Sequence, residues 1–400
     1  MKKYSELLTT AVASIMALSM LAGCGGETAA VSTDSGATAT ESSAEGAKFN
    51  IGAIGPLTGG AAAYGMAVCN AAELAVEEIN ANGGINGYQV VYNKEDDELN
   101  AEKSVNAYNT LKDKGMQILV GSTTSACSIA VSEYTKADNM FQLTPSGSAE
   151  DCVKYDNVFR VCFSDPNQGI ASAQYISDHK LATKVGIIYD SSDVYSSGIY
   201  QKFTEESAGK SYEIVSAEAF TQDNNTDFSV QLQKAKDAGA DLVFLPIYYK
   251  DASLILTQAN TMGYKPTFFG VDGLDGILTV ENFDTSLVEG VMLLTPFAAD
   301  AKDDLTVNFV SKYQEKYGEI PNQFAADAYD TVYIIKQGIE AKNITPDMSV
   351  SDICEQLKSA MTEIEASGLT SAKMTWAASG EPNKEPKAVV IQNGAYVSAQ

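Results

Sequence analysis

The segment Phe49–Tyr92 constrains the fold of this 400-residue chain more than any other part of the sequence. Its short apolar run, Ile51–Ile54, is bounded by glycine and proline and has the length of a buried parallel strand. A Gly- and Ala-rich loop and a long helical pattern follow, and Gly83 and Gly84 supply the left-handed residues at which helices end. A second strand, Gln89–Tyr92, then completes a βαβ unit. Such units bind ligands at the carboxyl ends of their strands.

The alternation of strands and helices continues along the chain and predicts an α/β protein with two doubly wound parallel-sheet lobes. We expect lobe 1 to comprise residues 49–164 and 296–372, and lobe 2 to comprise residues 165–295 and 373–400. The chain then crosses between the lobes about three times. Two lobes joined by several crossover strands form a cleft with a hinge, which suits closure on a small ligand.

The first 48 residues have the composition of a targeting segment and a tether. Two lysines precede the short apolar run Leu7–Leu21, which is typical of a signal peptide over residues 1–23. The run ends in Leu-Ala-Gly-Cys24, which resembles a bacterial lipobox and implies cleavage before Cys24 and diacylation of that cysteine. The alternative is an ordinary cleaved signal. Residues 24–48 then form a flexible tether, because they are mostly Gly, Ala, Ser, Thr and Glu.

Charge and motif content exclude several classes of protein. The net charge of −25 argues against a nucleic-acid partner. The single histidine, His179, nearly excludes histidine-based metal sites and catalytic triads. The sequence also lacks the GxSxG, GxxxxGK[ST], HExxH and EF-hand patterns. We therefore expect no enzymatic activity, no catalytic residues, no cofactor and no bound metal.

Five cysteines follow Cys24, and none of them forms a CxxC motif. Cys69, Cys127 and Cys354 lie in helical patterns and are expected to be small core residues. Cys152 and Cys162 are the only local pair to consider as a disulfide.

Hydroxyls, tyrosines and one acid stand where successive predicted strands end. Ser125 precedes a helix, where it can bind an anion or simply cap the helix. Asp272 precedes a glycine, where it is either a turn residue or an acid that pairs with an ammonium group. Thr58 lies in the first loop and is a further candidate for ligand contact, whereas alternation does not choose between Tyr248 and Tyr249. The set is Tyr64, Ser125, Ser146, Ser148, Tyr195, Tyr248 and Asp272.

The order and spacing of several short motifs resemble those of the branched-chain amino-acid (leucine/isoleucine/valine) binding proteins of ABC importers. The resemblance extends from Phe49 to Val397. The motifs are IGPLTGGAAAYG, AVEEINANGGINGYQV, VGSTTS, LTPSGS, YDSSDVYSSG, FLPIYY, FFGVDG and AADAYDTVYII. This family has a type I periplasmic-binding fold, in which two lobes close on the ligand like a Venus flytrap.

The resemblance implies a role for each candidate residue. Ser125 and Ser148 would hold the ligand carboxylate, and the Ser146 carbonyl, the Ser148 hydroxyl and Asp272 would receive the ammonium. Tyr64, Tyr195 and Tyr248 would form the walls of the cleft. Thr123 and Thr124 stand where the family has an apolar side-chain pocket, so a more polar or smaller side chain than leucine is possible. Leu99 and Thr124 occupy the positions of a disulfide found in well-known members and cannot form it.

The sequence therefore predicts an extracytoplasmic solute-binding lipoprotein that captures a branched-chain or related amino acid and delivers it to an ABC permease. We expect a monomer without a nucleic-acid partner, anchored through Cys24 to the outer face of the bacterial cell membrane. One alternative keeps the fold but binds an amide, a urea-like solute or a small carboxylate. Another is a ligand-sensing module of a membrane receptor.

Overall fold

The computed structural model describes residues 46–399, which form an α/β protein built on two sheets. Lobe 1 contains the first sheet and six helices, and a short 3-10 turn at Glu150–Val153 follows its fourth strand. Its strands are β1 (Phe49–Gly55), β2 (Val90–Asp96), β3 (Ile118–Val120), β4 (Phe141–Thr144) and β5 (Val158–Arg160). Its helices are α1 (Ala62–Ala81), α2 (Ala101–Asp113), α3 (Ser125–Asp138), α8 (Asp304–Tyr317), α9 (Gln323–Lys342) and α10 (Val350–Met361).

Lobe 2 contains the second sheet and four helices. Its strands are β6 (Lys184–Asp190), β7 (Glu213–Phe220), β8 (Leu242–Leu245), β9 (Thr267–Gly270), β10 (Met292–Thr295), β11 (Lys387–Gln392) and β12 (Ala395–Ser398). Its helices are α4 (Asp165–Asp178), α5 (Val194–Glu206), α6 (Ser229–Asp237) and α7 (Tyr249–Thr261). A 3-10 turn at Asp272–Leu274 follows β9.

The topology of both sheets is that of doubly wound folds. The first sheet has the order β2-β1-β3-β4-β5, and all of its strand pairs are parallel. The second has the order β12-β11-β10-β9-β8-β6-β7, in which only β11 and β12 pair antiparallel to their neighbours. In each sheet the loops that follow the parallel strands lie at one edge, where such folds bind ligands. The predicted fold class of two parallel-sheet lobes is confirmed.

The βαβ unit at the start of lobe 1 forms as the sequence predicts. Every residue from Ile51 to Gly55 is buried, as expected of a central parallel strand. Helix α1 ends at Ala81, and Gly83 and Gly84 have φ angles of 98° and 82°, in the left-handed region that glycine adopts without strain. The apolar residues of the sequence pattern for this helix start with Met66. Met66 departs from the pattern, because it is exposed on the outer side of α1.

The sequence pattern predicts helices that start at Ala126 and at Ser197. Both helices begin earlier in the structure, and both differences concern candidate residues. Helix α5 starts at Val194 rather than Ser197, because the Asp193 side chain accepts a hydrogen bond from the Tyr195 backbone N–H at 3.2 Å and caps the helix. Tyr195 therefore lies in the first turn of a helix and not in a loop. Helix α3 has Thr124 as its N-cap, so Ser125 is its first residue and not its cap.

The segment that contains Trp376 and Lys384 contacts lobe 1. The Trp376 indole N–H donates to the Arg160 carbonyl at 2.7 Å, and the Lys384 ammonium donates to the Val161 carbonyl at 3.1 Å. Both contacts join this segment to lobe 1, whereas Lys387 begins a strand of the second sheet. We therefore propose that the second segment of lobe 1 extends to about residue 385.

Three sequence predictions fall partly or wholly outside the described residues, and the tether over residues 24–48 is the one that falls partly outside. The signal peptide and the lipidation site at Cys24 lie before residue 46. Within residues 46–399, none of the helices combines the length and the apolar character that a membrane span requires.

Candidate functional site

Nine of the ten residues predicted to contact or surround a ligand line a single cavity between the lobes. The cavity is small: its empty space, with the opening to solvent included, amounts to about 260 Å³. Gly273 and Phe324 also line it. The predicted lining residues are Tyr64, Thr123, Thr124, Ser125, Ser146, Ser148, Tyr195, Tyr248 and Asp272.

Ser125 lies at the N-terminus of α3, directly after the loop that follows β3. Its hydroxyl oxygen accepts hydrogen bonds from the backbone N–H groups of Ser148 and Ala149, at 3.2 and 3.1 Å. Because the oxygen already accepts twice, the hydroxyl hydrogen is the group left to donate. Donors at a helix N-terminus favour a negatively charged partner. This part of the cavity can therefore bind a carboxylate.

The loop after β4 supplies Ser146 and Ser148 to the same end of the cavity. The Ser146 hydroxyl donates to the Thr123 carbonyl at 2.6 Å, and the Gly147 N–H donates to the Thr144 hydroxyl at 2.8 Å. These hydrogen bonds tie the β4 loop to the β3 loop and fix its backbone. Both serines are buried, so their polar groups are held in place before a ligand arrives.

Asp272 comes from lobe 2 and is buried at the opposite side of the cavity. The Tyr195 hydroxyl donates to the Asp272 Oδ1 at 2.6 Å. The Asp272 backbone N–H donates to the Gln168 side-chain oxygen at 3.2 Å. Burial raises the pKa of the Asp272 carboxyl to about 7, although the hydrogen bond from Tyr195 lowers it. A cationic group in the cavity would stabilise the ionised carboxylate.

Four aromatic rings from both lobes form the apolar walls of the cavity. Tyr195 and Tyr248 of lobe 2 stack with their centroids 4.9 Å apart. Tyr64 of lobe 1 meets Tyr248 edge to face at 5.4 Å and Phe324 at 4.4 Å. These rings can surround an apolar ligand group while the serines and Asp272 bind its polar ends.

The lobes also hydrogen-bond directly to each other beside the cavity. The Tyr64 hydroxyl donates to the Gly273 carbonyl and accepts from the Tyr249 N–H at 3.2 Å. At the start of α9, the Gln323 backbone N–H donates to the Asp275 carboxylate at 3.0 Å. The structure therefore represents a closed arrangement of the two lobes.

The remaining candidates have mixed outcomes. Thr58 is exposed, does not line the cavity, and donates to the Asp96 carboxylate at 2.7 Å. Thr123 and Thr124 are both buried in the cavity wall. The pairing considered for Cys152 and Cys162 is wrong, because all five cysteines among residues 46–399 are free and buried. The same residues contain no cluster of three or more acidic, histidine or cysteine side chains suited to a metal.

Sequence reasoning missed Phe324 and Gln168. Phe324 precedes the motif AADAYD and lies in the first turn of α9, so its ring reaches the cavity only because α9 packs against α1. Gln168 is fully buried, where its amide joins Asp165 to the backbone of Asp272. A glutamine that follows Asp-Pro-Asn at the crossing between the lobes is the one signal that could have drawn attention to it.

Replacement of Gly65 by alanine tests how tightly α1 packs beside the site. A β-carbon at Gly65 would lie 2.2 Å from the Pro56 carbonyl oxygen, so the helix and the preceding loop must separate. We expect Gly65→Ala to lower the free energy of unfolding by about 1–3 kcal/mol and to displace the neighbouring Tyr64. Urea unfolding measures the loss.

The control is Gly60→Ala, in the loop that precedes α1. Its added β-carbon would meet only the Leu99 side chain, at 3.6 Å. A stability within about 0.5 kcal/mol of the wild type is expected for this variant. Equal effects of the two substitutions would contradict the packing argument.

The fold and cavity define a class: an α/β protein with two lobes that close over a small ligand. A family model described as periplasmic binding protein matches residues 48–394. The chain therefore belongs to the periplasmic binding protein family, and its fold is the type I fold of that family. The members and relatives of this family are solute-binding proteins.

Two relatives are named for leucine, isoleucine and valine. The Leu/Ile/Val-binding protein homolog 3 of Brucella melitensis is 31% identical over 317 residues, which cover 78% of this chain and 84% of the relative. The Leu/Ile/Val-binding protein BraC3 of Rhizobium johnstonii is 30% identical over 304 residues, which cover 75% of this chain and 81% of BraC3.

Solved structures share the fold over most of the chain. The branched-chain amino acid transporter substrate binding protein LivJ from Streptococcus pneumoniae, solved with isoleucine, has a TM-score of 0.80 at 27% identity. The match covers 88% of this chain and 99% of LivJ. A solute binding protein from R. palustris, solved with benzoate, has a TM-score of 0.76 at 18% identity. That match covers 88% of this chain and 95% of the R. palustris chain. The second likeness concerns the fold alone.

Proposed function

We propose that this protein captures an α-amino acid, branched-chain or related, in the cleft between its lobes and delivers it to an ABC importer. The observation that carries the proposal is the division of polar groups across one cavity. The Ser125 hydroxyl donor at the N-terminus of α3 comes from lobe 1, and a buried carboxylate, Asp272, comes from lobe 2. A zwitterion of amino-acid size complements both sides.

In the proposed pose, the ligand carboxylate lies against Ser125 and Ser148, at the N-terminus of α3. Its ammonium faces Asp272, with the Ser146 carbonyl and the Ser148 hydroxyl as further partners. Charge-assisted hydrogen bonds of this kind are about twice as strong as neutral ones. The ligand side chain then contacts the aromatic walls and the pocket formed by Thr123 and Thr124.

Binding and closure are coupled in this proposal. A ligand that touches Ser125 on one lobe and Asp272 on the other binds the closed state more tightly than the open one. It therefore shifts the population towards the closed state in proportion to that difference in affinity. The direct contacts between Tyr64 and Gly273 add to the stability of the closed state.

We further propose that the protein acts outside the cytoplasmic membrane as a lipid-anchored monomer. The lipobox-like sequence before Cys24 supports cleavage and diacylation there. Two acyl chains on one residue give stable anchoring. The named relatives and the LivJ structure support an ABC permease as the partner that receives the ligand.

A small carboxylate without an amino group is the second candidate ligand. The structure with benzoate shares this fold, and the raised pKa of Asp272, about 7, allows that group to remain protonated and donate a hydrogen bond. Amides and urea-like solutes belong to the same alternative.

A thermal-shift screen tests the proposal. Purified protein is heated with each of the twenty amino acids, benzoate, other amine-free acids and small amides. A ligand that binds the native state raises the melting temperature, by an amount equivalent to about 2.7 kcal/mol at a hundred times its Kd. A shift with a group of amino acids supports the proposal. Shifts confined to amine-free compounds would contradict it and favour the second candidate.

We expect the gain in melting temperature from an amino acid to be larger at pH 8 than at pH 5. Burial raises the pKa of Asp272 from 3.8 to about 7 in the ligand-free protein. The native state therefore binds more protons than the unfolded chain between these values, and stability from this group is lost as the pH rises through about 7.

A bound ammonium stabilises the ionised carboxylate and removes that loss, so the ligand adds more stability at the higher pH. Thermal unfolding with and without the ligand at both pH values measures the difference. In Asp272→Asn, which cannot titrate, the dependence should disappear. A gain that is equal at the two pH values in the wild type would contradict the pairing of Asp272 with the ammonium.

A further inference from the structure

Arg160 is the only arginine in the sequence, and it is completely buried. It is the last residue of β5, beneath the loop that carries Ser146 and Ser148. Every other basic side chain of the chain apart from His179 is a lysine. A buried guanidinium requires several acceptors, because it presents five N–H donors in a fixed planar arrangement.

Four consecutive backbone carbonyls accept hydrogen bonds from its two Nη nitrogens. One nitrogen, Nη1, donates to the carbonyls of Gly147, at 3.0 Å, and Ser148. The other, Nη2, donates to the carbonyls of Ala149 and Glu150, at 2.9 and 3.3 Å. The Glu381 carboxylate lies 3.0 Å from Nη2 and is partly exposed. A lysine could not satisfy this row, since its three donors diverge from one point.

The orientation of these carbonyls determines where the neighbouring N–H groups point. With the carbonyls turned towards Arg160, the N–H groups of Ser148 and Ala149 point to the Ser125 hydroxyl oxygen. That oxygen then has only its own hydrogen to donate. A continuous chain of hydrogen bonds thus leads from the guanidinium through the loop to the hydroxyl that faces the cavity.

We propose that Arg160 is the positioning residue for the carboxylate end of the binding site. It fixes the peptide groups of residues 147–150 and, through them, the donor direction of Ser125, without touching the ligand itself. The inference rests on the proposed function, in which this end of the cavity binds a carboxylate. It assigns the selection of ligands with a carboxylate to a residue outside the cavity wall.

Isothermal titration of the full chain with L-leucine provides the first test. We expect Arg160→Lys to weaken binding by about tenfold or more, because small misplacements of positioned groups have effects of this size. The double variant Arg160→Lys with Ser125→Ala should bind about as weakly as Ser125→Ala alone, since both changes act on one hydroxyl. Combined with Tyr195→Phe, which acts at the ammonium end, the two losses should multiply.

Glu381→Gln is the matched control, because it removes the negative charge of the partly exposed partner of Arg160 and leaves the carbonyl contacts in place. Its affinity should stay within about twofold of the wild type. The proposal would be overturned if Arg160→Lys also bound L-leucine within about twofold of the wild type. It would also be overturned if the losses of affinity from Arg160→Lys and Ser125→Ala multiplied in the double variant. An equal loss in Glu381→Gln would overturn it as well.

Amide hydrogen exchange without any ligand separates this inference from the proposed function. We expect the Ser148 and Ala149 amides to exchange about tenfold faster in Arg160→Lys, while the amides of β1 and β3 are unchanged. If the wild type fails to bind L-leucine or any other amino acid, the proposed function fails, and exchange alone decides the role of Arg160. Faster exchange throughout lobe 1 would show a merely structural role and overturn the inference.

Discussion

Asp272→Asn is expected to weaken the binding of amino acids by about a hundredfold or more. The substitution keeps the size of the side chain and removes the charge that faces the ligand ammonium. Truncating one partner of a buried charge pair costs about 2–5 kcal/mol, because the other charge is left unpaired in a desolvated site. Titration calorimetry with the amino acid that gives the largest thermal shift measures the loss.

Asp251→Asn is the control for this variant. Asp251 is also a buried acid of lobe 2 whose pKa burial raises, to about 6, but it binds Gln222 and Asn225 outside the cavity. Its replacement should leave the affinity nearly unchanged. If the two variants bind equally well, Asp272 is only a residue of the turn after β9.

Lys384→Met is expected to lower the free energy of unfolding by about 3–5 kcal/mol, the usual effect of leaving a buried charge without its partner. The Lys384 ammonium is buried in lobe 1, where it pairs with the Asp327 carboxylate of α9 and donates to the Val161 carbonyl at 3.1 Å. Burial raises the pKa of Asp327 to about 6, while Lys384 lowers it. The loss should therefore be smaller at pH 5 than at pH 8, since Asp327 can take up a proton. Urea unfolding at both pH values tests this.

The double variant Lys384→Met with Asp327→Leu should recover most of the stability, because a buried ion pair can often be replaced by apolar residues without loss. If Lys384→Met were as stable as the wild type at pH 8, the result would contradict a buried ion pair between Lys384 and Asp327. A double variant no better than the single one would show that Lys384 acts through packing alone.

The fold and the composition of the site were predictable because both depend on local patterns. Buried strands such as Ile51–Ile54 and helix ends such as Gly83 follow from apolar runs and from glycine. The resemblance to a family then ranked Tyr248 over Tyr249, a choice that alternation along a strand could not make. In the structure Tyr248 lines the cavity, while the Tyr249 backbone joins the two lobes.

The supporting residues could not be predicted, since their roles depend on side-chain and backbone contacts that only the folded structure brings together. The Arg160 side chain donates to carbonyls of a loop in its own lobe, and nothing in the run Val158–Arg160 indicates that this side chain is buried beneath four carbonyls. Gln323 reaches Asp275 only across the closed cleft. The sequence predicted the starts of α3 and α5 too late in the chain. The reason is that an N-cap such as Thr124 or Asp193 is difficult to distinguish from a loop residue.

The most direct test of the account compares three ligands by titration calorimetry: the amino acid selected by the screen, its analogue without the amino group and its analogue without the carboxylate. If Ser125 binds the carboxylate and Asp272 the ammonium, only the complete amino acid bridges both lobes, and each analogue should bind at least about a hundredfold more weakly. Equal binding of the amine-free acid and the amino acid would contradict the account, because Asp272 would then have no ammonium to recognise.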